Sequence, residues 1–389
     1  MKICGIICEF NPLHNGHEYL IREAKALGYT VICLMSGNWT QRGLPASIEK
    51  YTRAKTAIQA GASVVLELPF IYSVNSADHF AKGAIEYLKA LGVNTIIFGS
   101  ENNNKEKIEK LAEFKLNEPK AFKKLLKQHL ENGLSYNNAY LSAIKEYSID
   151  NDLITLNSSP NDILASSYVK EIKKQKANID YIVIKRQDNG YNSKKSSQNF
   201  LSASSILSLK KDNKDYSQFL PPFSQTELEK SPAFDYEKYF AIIKNNILQT
   251  KTKNLSKIFG VEEGLEFLLN NQVQFNHNFI SLLQNIQSKR YRESRMRKIL
   301  LYSAIFLTKK EYKKAEKSKL ILSCLAVKKS DKNILSILTK TKVKILITGK
   351  DYKSIKNRNK HQLIITQKAD TLYSICTNTP LSQFTRFVD

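Results

Sequence analysis

The sequence predicts an α/β fold: a doubly wound, Rossmann-like parallel sheet followed by a second, mainly helical and basic domain. Three observations carry this expectation. The first hundred residues alternate short apolar runs with amphipathic ones. The opening run feeds straight into a His-Asn-Gly-His turn at residues 14 to 17. The charge is lopsided: residues 1–100 hold nine Lys/Arg against seven Asp/Glu, whereas the whole chain carries a net +24.

The elements follow in order. Residues 2–8 form an apolar run suited to a buried parallel strand, 16–27 a helix, 30–35 a second strand, 48–60 a helix, 63–68 a third strand, 77–91 a helix and 95–98 a fourth strand. Strands separated by single helices are the βαβ pattern, and such sheets bind ligands at the carboxyl ends of their strands. Residues 9–17, 36–43, 69–78 and 99–101 are therefore expected to converge. Helical periodicity covers 106–116, 119–131, 136–146 and 163–174 before a fifth strand at 181–185. This places a nucleotide-binding catalytic domain at 1–211, with a helical insertion at about 103–175. The polar stretch 212–235, with Pro221, Pro222 and Pro232, reads as a linker. Residues 236–389 read as mainly helical as far as about Leu338, with strands at 343–348 and 362–366.

Bulk properties exclude several classes. The apolar start is too short for a signal peptide or a membrane span, which points to the cytoplasm with no membrane partner. Cys4, Cys8, Cys33, Cys324 and Cys376 show no metal-ligand spacing and no disulfide framework, so they read as reduced core thiols, and no metal-ligand set is assigned. Residues 288–360 contain 23 Lys/Arg against five Asp/Glu, the imbalance of a surface that meets polyphosphate. A general Lys-rich composition is the bland alternative.

The turn carries the chemistry. Pro12 and Gly16 let the strand turn sharply into a helix whose first N–H groups are free to bind an anion. His14 and His17, three apart at that terminus, are placed to donate hydrogen bonds to charge developing on a phosphorus centre. Alone, His-x-x-His reads best as a pair of histidines capping a helix, with a metal-ligand pair as the other alternative; the preceding strand and Asn-Pro turn favour nucleotide chemistry. At other strand ends, Ser36, Asn38, Gln41 and Arg42 are candidate contacts for a small acid or an incoming base. Glu67 and Asp78 are candidate proton acceptors.

This segment resembles the HxGH signature of the nucleotidyltransferase superfamily related to class I aminoacyl-tRNA synthetases. Further segments resemble one family within it: Met35-Ser-Gly-Asn-Trp-Thr-Gln-Arg-Gly43, Gly61-Ala-Ser-Val-Val-Leu-Glu-Leu-Pro-Phe70, Ser76-Ala-Asp-His-Phe-Ala-Lys-Gly83, Phe98-Gly-Ser-Glu101, Ser159-Pro-Asn-Asp-Ile-Leu164 and Ser288-Lys-Arg-Tyr-Arg-Glu-Ser-Arg-Met-Arg-Lys298. Together they resemble the tRNA(Met) cytidine acetate ligases. The resemblance implies that acetate and ATP give acetyl-adenylate and pyrophosphate, and that acetyl then passes to the exocyclic amine of the wobble cytidine of elongator tRNA(Met). It implies ATP as substrate, with Mg²⁺ shielding the leaving pyrophosphate.

By the same resemblance, ATP is wrapped by Ile7, Cys8, Glu9, Phe10, Asn11, Pro12, Leu13, His14, Asn15, Gly16, His17, Glu18, Tyr19 and Leu20, and the site is completed by Gly99, Asn161 and Arg186. Asn161 reads alternatively as a helix cap. Ser202 and Ser204 fall in a segment resembling the superfamily's second phosphate motif, but Leu207 stands where arginine is expected; Lys210 and Lys211 lie close in sequence. Lys289, Arg290, Arg292, Arg295, Arg297 and Lys298 are the candidate tRNA contacts, with Tyr291 either stacking on a base or packing inward. Two rival readings share the His-Asn-Gly-His turn: a small-molecule adenylyltransferase, which has no need of the basic segment, and an RNA binder with an impaired active site.

Overall fold

The computed structural model describes residues 2–147, 159–186, 200–262, 264–288, 291–381 and 385–389. Five parallel strands, β1 (Ile3–Cys8), β2 (Thr30–Ser36), β3 (Val64–Leu68), β4 (Thr95–Ser100) and β5 (Asp180–Lys185), lie in the order β5-β4-β1-β2-β3. The chain runs outward from β1 to β3, then returns to build β4 and β5 on the other side. Strand order thus reverses between β1 and β4, and the crevice opened there is where such a sheet binds a nucleotide.

The helices α1 (Asn15–Ala26) and α2 (Lys50–Gln59) cover one face over Cys4, Ile6, Cys8, Val31, Cys33 and Val65. Helices Ala77–Ala90 and Pro160–Lys174 cover the other face over Ile32, Leu34, Leu66 and Ile96. All five cysteines are buried free thiols. After β4 come the helices Lys105–Leu116, Lys120–Glu131 and Tyr136–Tyr147, closed around Phe122, Tyr140 and Ile144.

The later chain departs from expectation in three places. Residues expected to be helical form β6 (Ile321–Lys328), which pairs antiparallel with β3 and extends the sheet through β7 (Lys344–Leu346) and β8 (Arg386–Val388). Residues 362–366, expected as a strand, belong to the helix His361–Thr377. Residues 212–235, expected as a linker, carry the helix Pro222–Lys230, because Pro222 occupies a first-turn position where its missing N–H is no loss. The sheet therefore continues past residue 211. One core joins Leu66 and Leu34 to Tyr239, Ile243, Met296 and Leu322. Among the described residues no helix is long and apolar enough to cross a membrane.

Candidate active site

The strand β1 ends at Cys8, and the chain then takes a tight path. Phe10 adopts the left-handed backbone region at φ 48°, which bulky residues rarely enter. Such a conformation persists where packing over-determines it, and Phe10 is buried edge-on against the His17 ring at 5.0 Å. Asn11 Oδ1 accepts from the Ser47 amide and hydroxyl at 2.7 Å, fixing the turn before Pro12.

The two histidines then form an unusual cap. His14 is the N-cap residue of α1: its Nδ1 accepts from the Gly16 N–H at 3.1 Å, while the His17 Nδ1 accepts from the His14 N–H at 3.3 Å. Their rings stack at 3.6 Å between centroids. The helix-cap reading and the catalytic reading thus coincide in one geometry. Burial, the adjacent His14 and the Arg186 charge hold His17 well below the usual histidine range, against the pull of a hydrogen bond to the Pro12 carbonyl. A Cβ at Gly16 would sit 3.0 Å from the His14 ring, so glycine is what lets the imidazole lie over the helix start.

Across the crevice, Gly99 and Arg186 belong together. Gly99 pairs with Ile184, the Arg186 N–H donates to the Ser100 carbonyl at 3.0 Å, and a Cβ on Gly99 would meet the Arg186 stem at 3.0 Å. The missing side chain leaves a flat strand end over which the guanidinium stem passes. Asn161 lies beside this edge, its amide donating to Glu101 at 2.6 Å. It is not the N-cap: the helix begins at Pro160 after Ser159, and the Glu101 carboxylate accepts from the N–H groups of Asn161 and Asp162. The next carboxylate, Asp162, is buried and held by Ser100 and Asn102, both at 2.5 Å.

Ser202 caps the helix Ala203–Lys211, accepting from the Ser205 N–H at 3.2 Å, and Ser204 lies 3.1 Å from its hydroxyl. The chain entering this helix brings Phe200 against Tyr19 and Gly16. Leu207 packs into the cluster of Ile48, Ile206, Leu220 and Leu228. Lys210 donates to the Leu228 carbonyl at 2.6 Å, so its ammonium is engaged in holding this helix to the next one.

The loop after β2 divides its residues between tasks. Gln41 ties two strand ends, its N–H donating to Glu9 at 2.6 Å and its amide to the Asn75 carbonyl at 2.7 Å. Ser36 Oγ is fully buried, with no hydrogen-bond partner among the described residues. Asn38, expected at the substrate, has both side-chain ends engaged elsewhere: it donates to Asp370 at 2.9 Å and accepts from the Lys50 N–H at 2.8 Å. Lys50 in turn bridges Glu67 at 2.8 Å and Asp370 at 2.5 Å. Burial pushes the Glu67 carboxyl up to about 7 despite the facing Lys50 charge. Asp78, the other expected proton acceptor, pairs with Lys170 at 2.5 Å; burial raises its carboxyl, but the Lys170 charge and hydrogen bond, with Lys115 and Ser167, together keep it low.

Arg53 was not legible as a site residue. It is fully buried, and its guanidinium donates to the carbonyls of Glu9, Ile48 at 2.9 Å, Ser36 at 3.3 Å and Gly37, thereby joining the carboxyl ends of β1 and β2. A cavity of about 900 Å³ is walled by Lys50, Tyr51, Glu67, Tyr352 and Asp370 and shares no lining residue with the His-Asn-Gly-His turn.

The basic segment is partly spoken for. Lys289 and Arg290 lie outside the described residues. Arg292 is exposed and donates to Asn138, Arg295 pairs with Glu262 at 2.7 Å over the Tyr291 ring, and Arg297 pairs with Glu293. Tyr291 packs inward against the main core. Lys298, also a candidate tRNA contact, is turned inward. Its ammonium donates to the Asn75 carbonyl at 3.0 Å, the acceptor Gln41 also uses, and burial brings it down to about 8.

A histidine pair at the first helix terminus, in the switch-point crevice of a parallel sheet, defines a nucleotidyltransferase. The HIGH Nucleotidyl Transferase family model matches residues 1–386. The chain is 32% identical to the tRNA(Met) cytidine acetate ligase of Oceanobacillus iheyensis over 96% of its own length and 94% of that protein. It is 37% identical to that of Clostridium novyi over 77% of its length and 78% of that protein. Crystal structures of Thermotoga maritima TmcAL, one apo and one bound with alpha-thio ATP, superpose with TM-scores of 0.86 at 29% identity, covering 97% of this chain and 95% of theirs. The chain belongs to the tRNA(Met) cytidine acetate ligase family.

Proposed function

We infer that this chain is an ATP-dependent ligase that makes acetyl-adenylate from acetate and ATP and passes the acetyl group to the exocyclic amine of the wobble cytidine of elongator tRNA(Met). The observation that carries the site assignment is the stacked His14–His17 pair at the α1 terminus, facing Gly99 and Arg186 across the crevice. A triphosphate laid on that terminus meets the positive end of the helix and two imidazoles, whose ring nitrogens cap the first N–H groups, and Arg186 supplies the fork that suits a phosphate. Acetate is itself the nucleophile, so adenylation needs charge stabilisation and alignment from the protein rather than a nucleophilic side chain.

His14 and His17 stabilise the charge that builds on the α-phosphorus, with Asn161 at the opposite, Gly99 edge as an amide donor and acceptor. Mg²⁺ bound with the nucleotide would supply charge neutralisation at the leaving pyrophosphate. Among the described residues there is no cluster of three candidate ligand side chains. Arg292 and Arg295, on the outer side of the helix Glu293–Ala304, are the proposed RNA phosphate contacts, and the same helix reaches the active-site loops through Lys298. The test is acetate-dependent exchange of pyrophosphate into ATP in the absence of RNA, then transfer of labelled acetate to a tRNA(Met) transcript. Exchange without RNA labelling would mark a small-molecule enzyme.

A further inference from the structure

The transfer step needs a group the adenylation step does not. When the cytidine amine attacks the acetyl carbonyl carbon, a C–N bond forms and the bond from that carbon to the AMP phosphate oxygen breaks. AMP leaves with the electron pair, and the amine must give up one proton. The residues that suggest themselves from sequence are occupied. Both Glu67 oxygens are held by Lys50, at 2.8 and 2.9 Å, and Asp78 is paired with Lys170 and Ser167.

We infer that Glu9 is the catalytic residue that takes this proton. It follows β1 directly, and the pairing of Cys8 with Met35 sets it beside Ser36 on the neighbouring strand. It thus stands between the His-Asn-Gly-His turn and the loop that touches the basic helix through Asn75. One carboxylate oxygen, Oε1, accepts from the Gln41 N–H at 2.6 Å, which fixes the group's direction; Oε2 makes no hydrogen bond among the described residues. The fully buried Ser36 hydroxyl lies beside the Glu9 carboxyl without a well-formed hydrogen bond among the described residues, and is suited to orient an amine or a base edge. This assignment rests on the ligase reading above.

The groups facing Glu9 are Arg53 from α2, Arg42 from the loop, Cys8 from its own strand and Tyr168 from the helix Pro160–Lys174. Burial raises its carboxyl above the usual range, opposed by the Gln41 hydrogen bond, by Arg53 and Arg42 and by the nearby Ser36 hydroxyl, which moves a carboxylate base toward neutrality. The reaction is run in two parts: acetate-dependent ATP–pyrophosphate exchange, and single-turnover transfer from preformed acetyl-adenylate to a tRNA(Met) transcript. Glu9→Gln should slow transfer by about 10²–10³-fold, with at least tenfold less effect on exchange. Wild-type transfer should rise with pH below neutrality and then level off, and the variant's profile should be flat. Glu9→Asp should recover part of the rate and the pH dependence. Transfer within about threefold of wild type, or equal losses in transfer and exchange, would overturn the assignment. The wild-type profile stands even if the variants fold poorly, and a flat one overturns it too. Absence of both exchange and RNA labelling in the wild type would instead sink the ligase reading.

Discussion

Replacing Arg53 with methionine tests how the site is held in place. The side chain is fully buried and its guanidinium donates to four carbonyls, those of Glu9, Ser36, Gly37 and Ile48. Methionine fills most of the volume but leaves those carbonyls without their donor. A hydrogen bond to a charged group contributes about 1.5–3 kcal/mol net. The 3.3 Å bond to Ser36 counts least, and relief of the buried charge offsets part of the loss, which burial already signals by lowering the Arg53 value. A net cost of about 3–5 kcal/mol remains. For a chain of this length that is about 2 °C per kcal/mol, or a fall of roughly 6–10 °C in Tm. Because the same carbonyls end β1 and β2, ATP–pyrophosphate exchange should fall about 10²-fold at a temperature where the variant is still folded. Arg53→Lys should rescue little, since one ammonium cannot span four acceptors. Scanning calorimetry paired with exchange kinetics decides the matter: a Tm drop under about 2 °C with normal exchange would refute the bracing role.

Other consequences can be checked in parallel. Lys50→Met strands Glu67 and Asp370 as buried carboxylates and should cost about 3–5 kcal/mol, part of it recovered by adding Glu67→Gln; an undiminished urea midpoint contradicts this. The folded His17 value lies well below the unfolded 6.5, so the unfolded chain binds the extra proton first. Its stabilising contribution is present above pH 6.5 and is lost as pH falls below that. Stability should therefore fall more steeply from pH 7 to 5 in wild type than in His17→Asn, and equal slopes count against the buried neutral imidazole. Gly99→Val drives a side chain into the Arg186 stem and should raise the KM for ATP by about tenfold with the Tm little changed. Arg292→Ala with Arg295→Ala should lower the slope of log K for tRNA against log salt by about 1.4–1.8, whereas Lys298→Ala should cost stability and leave that slope alone.

The first half of the fold was readable because its strands are short apolar runs bounded by turn residues, each followed by one amphipathic helix. What failed is local ambiguity. Ile321–Lys328 is buried on both faces, so it shows no alternation to separate it from a core helix, and it follows a Lys-rich helical stretch. Residues 362–366 contain two adjacent isoleucines, which suggest a strand. Their helix is set by packing that propensity does not see: Gln362 bonds Tyr87 and Ala315, and Ile365 joins the core. The His-Asn-Gly-His turn was legible because its chemistry is contiguous. Arg53 was not, because α2 is buried on nearly every side and nothing in Lys50-Tyr-Thr-Arg53 distinguishes a buried guanidinium from a solvated one. Glu9 stood in view as part of the nucleotide turn, but its distinction from Glu67 and Asp78 depends on pairings made with Lys50 and Lys170, 17 and 92 residues away.

The most direct test follows labelled acetate. With ATP and an unmodified elongator tRNA(Met) transcript, the wild-type protein should place label on the wobble cytidine, and His17→Ala should reduce the rate by about 10²–10³-fold while remaining folded. Label in the RNA that persists at the wild-type rate in His17→Ala, or no label in the wild type although ATP and acetate are consumed, would contradict the account.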